Sequence, residues 1–64
     1  MALVENIKQL CEKRRIAVSE LEEKAGLARN SIYKWNKHNP NVNAVVRVAR
    51  VLDTTVDSLI KEDN

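Results

Sequence analysis

The sequence predicts an all-α fold, a bundle of five short helices in one small domain. Three observations predict it. Apolar residues recur at helical spacing, as in Leu3…Ile7…Leu10 and Val45…Ala49…Leu52. Asn41 and Thr55, both good helix caps, each stand just ahead of an apolar run. Gly26, the one glycine of the chain, falls where a helix must end, and only glycine enters the left-handed region cheaply.

The first helix is expected from Val4 to about Lys13, with Leu3, Ile7, Leu10 and Cys11 as candidates for its inner face. Glu5 near its start and Lys13, Arg14 and Arg15 at its end suit the helix dipole, a role favoured over phosphate contact for that basic triplet. Ile16 should plug the core from the loop. A second helix starts near Val18 behind a poor cap, Ala17, and Ser19 with Glu22 has capping-box spacing. After a tight turn at Gly26-Leu27-Ala28, a third helix is expected over about Arg29–Lys37. Asn36 to Asn41 should form a surface loop around Pro40. The fourth helix, about Val42 to Leu52, is rich in β-branched valine and must take its helicity from packing. Its expected inner stripe is Val42, Val45, Ala49 and Leu52, flanked by Val46 and Val48. Asp53-Thr54 turns the chain, Thr55 caps a last short helix, and Val56, Leu59 and Ile60 form its apolar face. The domain is expected to span residues 1–61, leaving 62–64 as a frayed tail.

Leu21–Lys37 organises the rest. Two helices joined by so short a turn cross steeply. Leu21, Ala25 and Leu27 then face Ile32 and Trp35, which share one side of the third helix. The opposite side carries Arg29, Asn30, Tyr33 and Lys34, long polar side chains of the kind that read base edges in a major groove. The motif is a helix-turn-helix. Trp35 is read as core rather than as a stacking platform for bases, because it lies three residues from Ile32. Tyr33 is left open between a base or methyl contact, a phosphate contact and neither.

Sixty-four residues allow a single domain, and the 44% of hydrophobic residues fill one core without leaving a substrate cavity. One cysteine cannot form an internal disulfide, and neither a membrane span nor a signal peptide pattern is present, so a cytoplasmic location is expected. With a single His38 and a single Cys11 there is no metal-ligand set. A Cys–His nucleophile pair lacks any orienting context, so neither enzyme activity, a cofactor nor a small-molecule substrate is expected. Net charge is only +2, but six basic residues (Lys24, Arg29, Lys34, Lys37, Arg47, Arg50) and no acidic one lie between Lys24 and Leu52. That asymmetry suits a phosphate-facing surface centred on the third helix.

The chain resembles the lambda-repressor/Cro family of DNA-binding domains from about Val4 to Lys61. The matching residues are Ile7-Lys8-Gln9-Leu10, then Leu21…Gly26-Leu27-Ala28-Arg29-Asn30-Ser31-Ile32-Tyr33-Lys34-Trp35. They continue through Asn39-Pro40 and Val45…Ala49…Leu52 to Thr55-Val56-Asp57-Ser58-Leu59-Ile60. The resemblance implies a five-helix lambda-repressor-like bundle whose third helix enters the major groove of double-stranded DNA. Arg29 is the candidate for a bidentate guanine contact, Asn30 for adenine or phosphate, and Lys34 for a second base or phosphate. Lys37, His38 and Asn39, supported by Ser31, form the candidate phosphate clamp.

The chain departs from the family pattern in three places. Val18 stands where members often carry a phosphate-binding glutamine, so only its backbone amide can serve there. Ala28 replaces the usual serine cap. Cys11 and Asn36 replace an arginine–glutamate pair together, which suggests a packed small hydrophobe in place of a partly buried ion pair. The function expected is a sequence-specific transcriptional regulator, a phage-type or prophage repressor or the N-terminal domain of one. It would bind a palindromic operator as a weak homodimer through Val51, Val56 and Ile60, with no membrane partner. The rival reading is a protein-interaction module of the same fold, such as an antitoxin or co-regulator.

Overall fold

The computed structural model describes residues 2–61, so the expected tail over residues 62–64 lies outside the described residues. Among these residues there are five helices and no strand: α1 (Leu3–Lys13), α2 (Val18–Lys24), α3 (Ser31–Lys34), α4 (Val42–Val51) and α5 (Val56–Ile60). Each helix sends a side chain of zero exposure into one shared core: Ile7, Leu21, Ile32, Val48 and Leu59, with Leu52 closing the end of α4. Burying a side chain of this size contributes about 1.5–3 kcal/mol, so in so small a domain no helix is dispensable. α1 packs against α5 and α2, α2 also meets α3 and α4, and α4 meets α5.

Three helices end in one way. The N–H groups of Ile16, Leu27 and Thr54 reach back five residues to the carbonyls of Cys11, Glu22 and Ala49. The residue before each is left-handed: Arg15 (φ 56), Gly26 (φ 72) and Asp53 (φ 53). This is the Schellman closure, which satisfies carbonyls that a helix end otherwise leaves unpaired. Ile16 and Leu27 lie just past two of these closures and pack against the core. The expected caps of α4 and α5 are present, Asn41 Oδ1 accepting from the Asn43 amide and Thr55 Oγ1 from the Ser58 amide.

The inner faces differ from the sequence pattern in detail. On α1 the buried residues are Leu3, Val4, Ile7 and Cys11, so Val4 joins the expected face, and Leu10 is only half-buried. On α4 it is Val45, Val48, Ala49 and Leu52, whereas Val42 is 73% exposed. Val42 sits on the correct side of the first turn, but that turn overhangs the edge of the core. It lines a groove there with Leu3, Pro40, Val45, Val56 and Ile60. Trp35 is half-buried against the core, and Ile60 is exposed. Val51 is separated from Val56 and Ile60, lining a different depression with Lys24, Ala25, Gly26, Arg47 and Arg50.

The third helix is shorter than the expected Arg29–Lys37. Asn30 is left-handed (φ 65, ψ 14), which stops α3 from extending back to Arg29. Beyond Lys34 the chain winds more tightly, with Trp35, Asn36 and Lys37 donating to carbonyls three residues back.

Candidate nucleic-acid interface

The helix-turn-helix is built from α2, the turn over residues 25–30, and α3. Gly26 opens the turn. A Cβ added there would meet nothing within 4 Å, so glycine supplies backbone freedom at this point rather than space. Leu21, Ala25 and Ile32 form the buried joint between the two helices, with Leu27 and Trp35 packed around it.

The start of α3 is held from outside the helix. Its own N-cap residue, Asn30, makes no side-chain cap bond. The carboxylate of Glu22 on α2 does the work instead: Oε1 accepts from the Asn30 amide at 3.0 Å and Oε2 from the Ile32 amide at 3.1 Å. Glu22 is only 3% exposed, and it is the one buried charged side chain among the described residues. A carboxylate on backbone N–H groups at the positive end of a helix makes charge-assisted bonds stronger than neutral ones. The expected capping box within α2 is therefore absent, because Glu22 turns away from its own helix toward the next one. A signal was legible: Glu22 precedes Ala25 by three, on the inward side of α2, where an acid needs a partner.

Arg29, Asn30, Tyr33 and Lys34 are all exposed and fall within six consecutive residues. Tyr33 and Lys34 lie on α3, but Arg29 belongs to the turn, one residue before the left-handed Asn30. Its position is thus set by the turn and not by the helical repeat that carries Lys34. Ser31 is half-buried and its Oγ donates to the Ala28 carbonyl at 2.6 Å. Lys37 and His38 follow the helix, both amides donating to the Lys34 carbonyl at 3.0 Å, with exposed side chains. Asn39, also exposed, sits beside Pro40 at the rim of the apolar groove. Val18, the first residue of α2, is half-buried against the core.

The basic stretch divides in two. Arg29, Lys34 and Lys37 surround α3, whereas Lys24, Arg47 and Arg50 line the depression between α2 and α4. Lys24 additionally pairs with Glu20 one turn back along α2, at 3.4 Å. Arg29 lines a groove together with Glu20, Glu22 and Glu23 of α2.

Five helices, a turn opened by a left-handed glycine and an exposed polar face on α3 agree with a comparison of the chain itself. The description of Cro/C1-type helix-turn-helix DNA-binding domains matches residues 6–62. The chain belongs to this family. Among curated proteins, the Cro/C1-type domain is similar to the helix-turn-helix-type transcriptional regulator SinR of Bacillus licheniformis and to SinR of Bacillus subtilis (strain 168). Each is 36% identical over 61 residues, covering 91% of this chain and 55% of the relative. The domain thus spans about half the length of the curated relatives it matches. No solved structure gives a significant match. The family is one of DNA-binding domains. No helix among the described residues is long and apolar enough to cross a membrane.

Proposed function

We propose that this Cro/C1-type domain reads double-stranded DNA sequence-specifically in the cytoplasm and serves a transcriptional regulator of the phage or prophage repressor kind. The observation that carries the reading is the run Arg29, Asn30, Tyr33, Lys34: four exposed polar side chains on and just before α3, in a stretch without acids. Arg29 is assigned to guanine, Asn30 to adenine or phosphate, Lys34 to a base or phosphate, and Tyr33 to the same surface. Lys37, His38, Asn39, Ser31 and the backbone at Val18 are assigned to phosphates. The curated relatives are themselves named transcriptional regulators, which supports the regulatory role.

One such domain reads only a few base pairs, so specificity calls for two half-sites about 34 Å apart. The groove of Leu3, Pro40, Val42, Val45, Val56 and Ile60 is the apolar surface assigned to a second copy. Selection of bound duplexes from a random pool tests both parts. An enriched palindrome is expected; an enriched single half-site bound as tightly as the palindrome removes the dimer, and no enrichment removes the function.

A further inference from the structure

We infer that Glu22 is a positioning residue for base reading: its carboxylate fixes the start of α3 and so aims Arg29 and Asn30 at the DNA. The inference rests on the DNA-reading function proposed above and adds a residue that touches no DNA itself. Asn30 holds a left-handed backbone, which asparagine tolerates better than most residues, and its own side chain makes no cap bond to secure it. Ala28 has no side-chain group that can cap. Ser31 closes the turn locally, its amide and Oγ both donating to the Ala28 carbonyl, and the bonds from the Asn30 and Ile32 amides to the two oxygens of Glu22 fix that turn against α2.

These bonds bracket Ser31 and tie α3 to α2 rather than to itself. Rotation of the first turn of α3, or relaxation of Asn30 to an ordinary conformation, breaks one or both of them. Either movement redirects Arg29, which leaves the chain one residue before Asn30. Because both amides are occupied by Glu22, they are not available to a phosphate, and anchoring at this point falls to side chains. The side chain of Asn30, relieved of capping, remains exposed and free to reach a base or phosphate. Recognition geometry is thus set from a buried charge behind the reading surface, and specificity should respond to Glu22 more than raw attraction to DNA does.

Glu22→Gln is the decisive variant, because it keeps side-chain size and one acceptor oxygen while presenting an NH₂ donor to an N–H; Glu22→Ala removes both acceptors. Without DNA, amide NMR spectra of Glu22→Gln should show the Asn30 and Ile32 signals displaced, with α1, α4 and α5 unmoved. With a duplex enriched by the wild type from a random pool, Glu22→Gln at equal folded fraction should lose about tenfold in affinity. Against a scrambled duplex the loss should stay within about twofold, and the salt slope should not change, because no phosphate contact is removed. Equal weakening on both duplexes, a change confined to the folded fraction, or undisturbed Asn30 and Ile32 amides each overturn the inference. If the wild type enriches a duplex that Glu22→Gln binds equally well, only the inference falls. If the wild type enriches none, the DNA-reading function falls and takes the inference with it.

Discussion

The side-chain amide of Asn6, near the start of α1, donates a 2.7 Å hydrogen bond to the carbonyl of Leu59, near the end of α5. The same Nδ2 donates to the Lys61 carbonyl at 2.7 Å. α5 has only five residues, so most of its carbonyls have no partner within the helix. A side chain from the opposite end of the chain closes it. Asn6→Ala should therefore cost about 1–2 kcal/mol of stability, since each such bond is worth roughly 0.5–1.5 kcal/mol net. Asn6→Asp should cost more, because a carboxylate would face two carbonyl oxygens. Urea unfolding monitored by Trp35 fluorescence measures both, and an Asn6→Ala protein as stable as the wild type contradicts the assignment.

The three Schellman closures are chemically alike but occupied differently, and that gives a pair of opposite expectations. Gly26→Ala places a side chain on a left-handed residue and should destabilise by about 1 kcal/mol, even though space for a Cβ is open. Arg15→Gly relieves the same conformation and should stabilise by about 0.5–1 kcal/mol, with the entropy of the unfolded glycine limiting the gain. Asp53 should respond less, because aspartate tolerates the left-handed region. Thermal midpoints decide the signs, each kcal/mol moving the midpoint of so small a domain by about 4–8 °C.

Gly26 was legible from sequence because glycine advertises a left-handed position, whereas nothing in Arg15 does. The five helices, the caps at Asn41 and Thr55 and the joint of Leu21, Ala25 and Ile32 were all legible, since each rests on local spacing. Asn6 was not, because its partners lie 53 and 55 residues away and local pattern carries no such information. Glu22 was half legible. Its capping-box spacing pointed to the right kind of bond and the wrong helix. Val42 shows the limit of periodicity: it marks a face of a helix but not where the neighbouring element stops.

Cys11 is buried in the core, and burial raises its thiol above the ordinary range because the thiolate would lose its water. Cys11→Ala should cost roughly 1 kcal/mol or more through lost contacts, and Cys11→Ser at least as much through an unpaired hydroxyl. The shift also sets a pH dependence. Below the ordinary thiol value, roughly 8.5, Cys11 is neutral in both folded and unfolded chains and contributes no slope. Above it the unfolded chain ionises first and holds fewer protons, so stability should fall as pH rises. Cys11→Ala should lose that part of the alkaline decline. Native protein should react slowly with a thiol reagent, and rapid labelling would contradict the burial.

Arg29 and Lys37 separate reading from holding. Arg29 projects from the turn that Glu22 secures, while Lys37 leaves the tight winding after α3, beside the asparagine-rich loop. Arg29→Ala should cost about 1–3 kcal/mol against the selected duplex and relax preference at one base position. Lys37→Ala should weaken selected and random DNA alike and lower the salt slope by about one unit, the signature of one lost phosphate contact. Lys34 lies on α3 itself, between the two, and is expected to side with the bases. Binding curves for selected and scrambled duplexes at several salt concentrations distinguish the roles. Equal weakening of both DNAs by Arg29→Ala would mean that the turn before α3 faces the backbone and that the reading surface begins at Tyr33. No effect on either would mean that the turn before α3 does not touch the DNA, and would count against the reading surface assigned to it.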